Sequence, residues 1–460
     1  MKSAALPGFR DFYPDDLALR SHIFATWRAV AARYGFEEYD GPPLEPLDLY
    51  TAKSGAEIVG QLYAFEDKGG RQVSLRPEMT PTLARMVAAR ANGLKKPIRW
   101  FSIPQLFRYE RQQRGRLREH FQLNCDLIGE PGPLGDAEII ALALDVMRAF
   151  GLGPGDVRVR LSDRRALSAL LLAAGVPETG LPDAYQAVDK VERMRRDELA
   201  NQLREVGFAQ QQVDAVFRIA TLRGLPAVAE EAGAVGAPPQ ALEPLTQVVG
   251  ALEAMGLGGF VDVDCSIVRG LAYYTGTVFE LFDAGRSLRA IAGGGRYDHL
   301  LQALGGVDLP ALGFGMGDVV LAELLKHRGL AGPGSGSVDV FVASVTEDDV
   351  SHVLRLAHEL RDAGMRVEYA LAHQALGKQL KLADARRARF AVVIGPDDRA
   401  RGEVVVRDLE VKSQASVSRL AAAERLTAAL RQDEPRRREE HKGTAASPEA
   451  GRGHRRSPTA

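Results

Sequence analysis

The stretch Phe107–Asp126, FRYERQQRGRLREHFQLNCD, constrains the fold more than any other part of the chain. Alternate residues of a strand share a face. After the arginine-rich turn, Gln122, Asn124 and Asp126 therefore fall on one side, and Phe121, Leu123, Cys125 and Leu127 on the other. Such a strand lays one face on an apolar core and turns the other to a polar cleft. Before the turn the same period groups Leu106, Arg108 and Glu110 against Phe107 and Tyr109. A solvated surface hairpin has the same alternation. The turn itself, RQQRGRLRE, gathers four arginines around a glycine, a concentration suited to anions.

At 460 residues the chain exceeds one core and implies two to four domains. A formal net charge of -1 gives no global pull towards nucleic acid, so any RNA contact must be local. The two cysteines, Cys125 and Cys265, sit in apolar β-like runs and read as buried thiols in a reducing compartment. None of the nine histidines has metal-ligand spacing, and no structural metal site is expected. No signal peptide or membrane-spanning apolar run is apparent, so the expected location is the cytoplasm.

An irregular lead-in precedes a helix expected over about 18–34, then an extended segment containing Pro42 and Pro43. Lys68-Gly69-Gly70 marks a hairpin turn, and Thr82–Asn92 reads as helix. Asp136 is expected to cap a helix running to about Gly151, followed by the strand VRVRLSD. Residues 164–256 read as a helical insertion. FVDVDCSIV, TVFELF and LRAIAGG then read as three strands suited to antiparallel pairing. Gly329–Ser337 is a flexible linker. Strand and helix alternate beyond it, implying a small sheet with parallel crossovers. From about Gln432 the composition is that of a disordered tail. The expected division is 1–163 and 257–328 as one interrupted domain, 164–256 inserted, 329–337 linking, 338–431 as a separate α/β domain, and 432–460 as tail.

A second stretch, Ile267–Glu280 or IVRGLAYYTGTVFE, puts Arg269 and paired tyrosines ahead of a β-prone run. With the first it describes a pocket for a polyphosphate beside a small polar ligand, as an ATP-using ligase needs. Arg108 and Arg269, held on or beside strands, could neutralise an α-phosphate under attack; a structural salt bridge is the other reading of each. In RPEMT, Glu78 could accept from a substrate ammonium group or cap the following helix. Asp126 could accept from a ring N–H or pair with an arginine. The three glycines of IAGGGRYDHL would let a flat ligand near the backbone, or form a bulge, and GFGMG suggests similar close packing.

On RPEMTP, FRYERQQRGRLREHFQ, RGLAYY, GGGRYD and the late GKQLKLADARRARFAVVIG, the chain resembles the histidyl-tRNA synthetases, class II aminoacyl-tRNA synthetases. The likeness runs from GFRDFYP to about Leu430. It implies an α+β fold: a class II antiparallel sheet flanked by helices, a helical insertion and a C-terminal α/β anticodon-binding domain. It implies a homodimer, with Pro42 at the interface, acting on histidine, ATP with magnesium, and histidine tRNA.

By the same resemblance, Glu78, Thr80 and Gln122 hold the histidine α-amino group, and Asp126 and Tyr274 contact the imidazole with Tyr273 lining the pocket. Arg108 and Arg269 are the catalytic pair at the α-phosphate. Glu110, Arg116 and Gly315 complete the ATP site. Arg111, Gln113, Arg114 and Arg116 reach the acceptor end of the tRNA. Two positions depart from the family pattern. Ala272 stands where the tyrosine motif has aspartate, and Val319-Val320 stand where motif 3 has Glu-Arg, so another cation, Arg116 or Arg296, is expected at the γ-phosphate. The missing arginine leaves open a second reading, a catalytically silent synthetase-like regulatory subunit of ATP phosphoribosyltransferase.

Overall fold

The computed structural model describes residues 5–51, 59–110, 113, 115–269, 273–332, 338–372 and 374–431. The expectations for Arg111, Arg114, Ala272, part of the linker and the tail lie outside those residues. The chain divides into two units, 1–11 with 20–327 and 12–19 with 328–460.

The strands of the first unit are β1 (Glu37–Glu38), β2 (Leu44–Pro46), β3 (Tyr63–Glu66), β4 (Gln72–Leu75), β5 (Ile98–Ser102) and β6 (Gln105–Phe107). They continue with β7 (Glu119–Ile128), β8 (Val157–Asp163), β9 (Val261–Val263), β10 (Thr277–Asp283), β11 (Ala292–Arg296) and β12 (Ala311–Gly317). The main sheet runs β1-β5-β7-β12-β11-β10-β8-β9, with β6 paired to β7. Its centre is antiparallel throughout. At the two edges β1 runs parallel to β5 and β9 parallel to β8. The expected antiparallel pairing of FVDVDCSIV is thus corrected. Only three of its residues form a strand, and the helices between β8 and β9 let the chain return in the same direction, as a parallel crossover requires.

The alternation of β7 decides which face is which. Leu123, Cys125 and Leu127 are buried beneath the sheet with Phe279, Leu281, Val159 and Leu161. The helix Pro133–Ala149 covers that face, and its residues Ile139 to Leu144 are all buried, as a helix that is apolar all round must be. Gly132 occupies its N-cap position. Asp136 lies in the first turn and binds Arg296 instead of capping, which corrects that expectation.

Residues 164–256 are helical, in segments Arg164–Ala173, Leu181–Lys190, Arg196–Glu205, Gln210–Ala220, Leu225–Val235 and Glu243–Ala254, with short 3-10 turns between them. Asp163, the last residue of β8, caps the first of these by accepting from the N–H of Arg165 (2.8 Å) and of Ala166 (3.4 Å). The hairpin turn at Lys68-Gly69-Gly70 joins β3 to β4 as expected.

The second unit has β13 (Val340–Ser344), β14 (Val367–Tyr369), β15 (Phe390–Ile394), β16 (Glu403–Asp408) and β17 (Ser413–Ser418) in the order β14-β13-β15-β16-β17. The first three are parallel and the last two antiparallel. Val340, Val342, Val392 and Ile394 pack on one face, Phe341, Ala343 and Val393 on the other, so both faces are covered. The polar strand β17, SQASVS, carries no hydrophobic alternation and was not expected from sequence. Among the described residues no helix is long and apolar enough to cross a membrane.

Candidate active site

The cleft face of the main sheet is paved with glycine. Gly313 and Gly315 of β12 lie opposite Asp126 and Asn124 of β7, and opposite Gly295 and Gly293 of β11; Glu280 of β10 faces Gly293 from the far side. GGG is therefore strand, not bulge. The glycines clear room for particular side chains. A Cβ on Gly293 would sit 1.4 Å from Nη1 of Arg269, and one on Gly313 would sit 2.3 Å from Oδ1 of Asp126.

Two connected cavities occupy this face. The smaller, about 90 Å³, is lined by Glu78, Thr80, Gln122, Asn124, Asp126, Tyr273, Tyr274 and Tyr297. The larger, about 550 Å³, takes in Glu110, Arg116, His120, Arg193, Glu280, Arg289 and Val320. Arg108, Gln122, Arg269, Gly293 and Gly315 line both, so the two arginines stand at the junction. Every described residue assigned to histidine or ATP from sequence lines one cavity or both, except Arg296, which lines neither.

The junction arginines are fixed differently. β6 ends at Phe107, so Arg108 follows the strand instead of lying on it as expected; its backbone N–H still pairs with Arg118 (2.9 Å), and its Nε donates to the Pro77 carbonyl (2.9 Å). Arg269 has φ of 52°, a left-handed conformation uncommon for a residue other than glycine. It is held there by Arg164. Its buried guanidinium donates to the carbonyls of Val268 (3.0 Å), Arg269 (3.0 Å) and Tyr274 (3.2 Å), gripping the backbone on both sides of that turn. Nothing local in the sequence marks Arg164, because the carbonyls it binds lie 104 to 110 residues away. Arg269 also lies 3.8 Å from Glu280 and above the Tyr274 ring at 5.6 Å, while its buried Nε has no hydrogen-bond partner among the described residues.

A row of tyrosines leads from this arginine into the small cavity. Tyr273 packs on Tyr274 at 5.0 Å and edge-on to Tyr297 at 5.9 Å. Tyr297, from GGGRYD, donates its hydroxyl to Asp126. Tyr274 lines the same cavity as Tyr297 and Asp126 and also lies beneath Arg269. Burial pushes the Asp126 carboxyl up to about 7, with the Tyr297 hydrogen bond opposing. Burial likewise raises the phenols of Tyr273, Tyr274 and Tyr297, keeping them protonated.

At the other end, Glu110 forms an ion pair with Arg116 on the wall of the large cavity. His120, also on that wall, is driven down to about 3 by burial and by Arg108, Arg10 and Arg116, so its ring is neutral. Val320 is buried on the wall of both the large cavity and a neighbouring recess. Arg296 is not available to replace the motif 3 arginine. It is 1% exposed and spends its guanidinium on Asp136 (2.7 Å), Asp298 (3.2 Å) and the carbonyls of Glu130 (2.9 Å) and Gly132 (3.0 Å). It is a structural arginine tying β11 to the helix below. The cations on the wall that the sequence did not mark are Arg193, from the turn after Leu181–Lys190, and Arg289, just before β11.

A family model for histidyl-tRNA synthetase matches residues 8–318, and one for the anticodon binding domain matches residues 339–429. The histidine--tRNA ligase of Opitutus terrae is 47% identical over 419 residues, covering 90% of this chain and 96% of that protein. The chain belongs to the histidyl-tRNA synthetase family. The chloroplastic/mitochondrial histidine--tRNA ligase of Arabidopsis thaliana is 39% identical, over 89% of this chain and 84% of that protein. Among solved structures, the histidyl-tRNA synthetase of Nostoc sp. PCC 7120 superposes with a TM-score of 0.81 at 25% identity, covering 93% of this chain and 100% of that one. A Bacillus halodurans protein described as an ATP phosphoribosyltransferase regulatory subunit/histidyl-tRNA synthetase shares the fold, at a TM-score of 0.71 and 22% identity. As a class II synthetase, the chain is an ATP-using ligase with the α+β architecture expected of it. The relatives at high coverage are ligases, and nothing specific favours the regulatory-subunit reading.

Proposed function

We propose the following division of labour for the histidine–tRNA ligase reaction that family membership gives this chain. Histidine occupies the small cavity, with its α-amino group on Glu78, Thr80 and Gln122, its imidazole contacted by Asp126 and Tyr274, and Tyr273 lining the pocket. ATP fills the large cavity, whose volume suits a nucleotide. The carboxylate and the α-phosphate then meet at the junction, beside Arg108 and Arg269. The observation that carries this reading is that these two arginines line both cavities.

A histidine carboxylate oxygen attacks the α-phosphorus, the bond to the bridging oxygen breaks, and pyrophosphate leaves. Arg269 and Arg108 offset the charge that grows on the α-phosphate, at fixed positions that need no rearrangement. The 3′-terminal adenosine hydroxyl of histidine tRNA then attacks the carbonyl of the adenylate, releasing AMP. No protein nucleophile is needed; positioning and charge supply the acceleration. Magnesium would arrive with the nucleotide and neutralise part of the polyphosphate charge. Glu110 and Glu280 are the carboxylates of the cavity wall suited to such a hard cation.

Arg111, Gln113, Arg114 and Arg116 would engage the tRNA acceptor end, with basic side chains on its phosphates. Residues 1–163 and 257–328 would form the catalytic domain, 164–256 the insertion and 338–431 the anticodon-binding domain. A homodimer contacting around the exposed Pro42 and a cytoplasmic location belong to the same proposal. The test is ATP–pyrophosphate exchange with the purified chain, then charging of histidine tRNA. Exchange with histidine and not with other amino acids is expected. A folded protein that binds histidine but exchanges nothing would overturn the assignment.

A further inference from the structure

The large cavity continues, at the end away from histidine, into a recess lined by Gly115, Ser287, Leu288, Arg289, Val320 and Glu323. This recess shares Gly115, Arg289 and Val320 with the large cavity and no residue with the histidine cavity. The order along the cleft is therefore histidine cavity, junction, large cavity, recess. A nucleotide held by its α-phosphate at the junction extends towards the recess.

The cations along that path are not equivalent. Arg108 and Arg269 belong to the junction. Arg116 is paired with Glu110. Arg193 lines the large cavity and a separate pocket beside Glu280, not the recess. Arg289 is the arginine on the wall of both the large cavity and the recess. It is exposed, and among the described residues its one side-chain hydrogen bond is a long 3.4 Å contact to the neutral Oε1 of Gln113. Val320 brings an apolar side chain to the same wall and supplies no charge. Gly115, at φ +74°, packs between them: a Cβ there would lie in ordinary contact, 3.4 Å from Val320 and 3.7 Å from the Arg289 stem.

We propose that Arg289 binds the terminal phosphate of ATP and makes this site prefer a triphosphate to a diphosphate. It does from the turn before β11 what Val320, on the helix Asp318–His327, cannot. The guanidinium offers a forked set of donors that fits phosphate oxygens, and an exposed, weakly bonded arginine loses little on engaging them. The inference rests on ATP occupying the large cavity.

The test is calorimetric binding of α,β-methylene-ATP and α,β-methylene-ADP to the full chain and to Arg289→Ala, with histidine-dependent exchange measured alongside. Wild type is expected to bind the triphosphate more tightly. The variant is expected to lose about 10- to 100-fold for the triphosphate, the range of a charge-assisted hydrogen bond, and less than about 2-fold for the diphosphate. Its KM for histidine should stay at the wild-type value. An unchanged preference, or equal weakening of both nucleotides, would overturn the proposal, the second by placing Arg289 on the base, ribose or inner phosphates. Loss of tRNA charging with exchange intact would overturn it too, by making Arg289 an RNA contact. Failure of the ligase assignment itself shows up separately, as a wild type that does not exchange.

Discussion

The small cavity and the large cavity adjoin, yet they are built in different ways. The first is made by sheet register. Gln122, Asn124 and Asp126 rise from one strand at period two, opposite glycines whose missing side chains give them room. The second is assembled from scattered parts: Arg116 from a turn, Arg193 from the turn after an inserted helix, Arg289 from the approach to β11. A wall made by register fails when one atom is misplaced. A wall made by assembly should weaken by degrees, because each charge sits on its own support.

The sharpest way to break this contrast is Gly293→Ala. Its methyl group would fall where Nη1 of Arg269 lies. Adenylate formation should drop about 100- to 1,000-fold, the cost of losing one fixed charge-stabilising donor, while histidine binding changes little. Pre-steady-state adenylate formation and equilibrium histidine binding on the same protein separate the two. Equal losses in both would show that Arg269 does not act on the α-phosphate.

Asp126→Asn should have the next largest effect. Losing a charge-assisted acceptor for the imidazole should cost about 10- to 100-fold in kcat/KM for histidine, with KM for ATP steady. Stability should move the other way. Burial raises the Asp126 carboxyl from 3.8 to about 7, so between those values the folded chain holds a proton that the unfolded chain has released. Stability therefore falls as pH rises through that window. The asparagine variant lacks this slope, and its melting temperature should gain on wild type from pH 5 to pH 8. A constant difference across that range would remove the buried carboxylate from the account.

Glu192→Gln tests the assembled side and should do least. Glu192 lies next to Arg193 and is held by Arg160 (2.6 Å), Arg223 (3.3 Å) and Arg286 (3.5 Å). The Arg160 hydrogen bond and the charges of Arg160, Arg286 and Arg223 bring its carboxyl down to about 2, against its burial. The stability it gives is present above its unfolded value of 4.5 and is lost as pH falls towards 2. The side chain is 39% exposed, so the loss at pH 7 should stay below about 1 kcal/mol. Urea unfolding at pH 7 and pH 3 would measure it, and the difference between variant and wild type should shrink at the lower pH. A loss of several kcal/mol would mean that this wall is as brittle as the other.

Legibility followed the same division. The polar face of β7, the paired tyrosines and the glycine runs were all readable, because strand period is a local property and close approach needs glycine wherever it occurs. Arg296 misled: its motif puts it beside the glycines, but only the fold reveals Asp136 beneath it, 160 residues away in sequence. Tyr297 was present in the quoted motif, yet its bond to Asp126 spans 171 residues. β17 lacked any hydrophobic signal and is held by ladder bonds to β16.

The sequence by itself determined the family, the α+β class, the strand whose polar face lines the small cavity and the two arginines that stand where the cavities meet. Those features rest on residue type, period and short spacing, which a chain displays before it folds. Tertiary structure alone decided which arginines face the cleft and which are consumed below it, what holds Arg269 in its left-handed turn, and which cation reaches the outer recess. An arginine's role is set by the partner that claims its guanidinium, and those partners lie on elements brought together only by the sheet and the inserted helices.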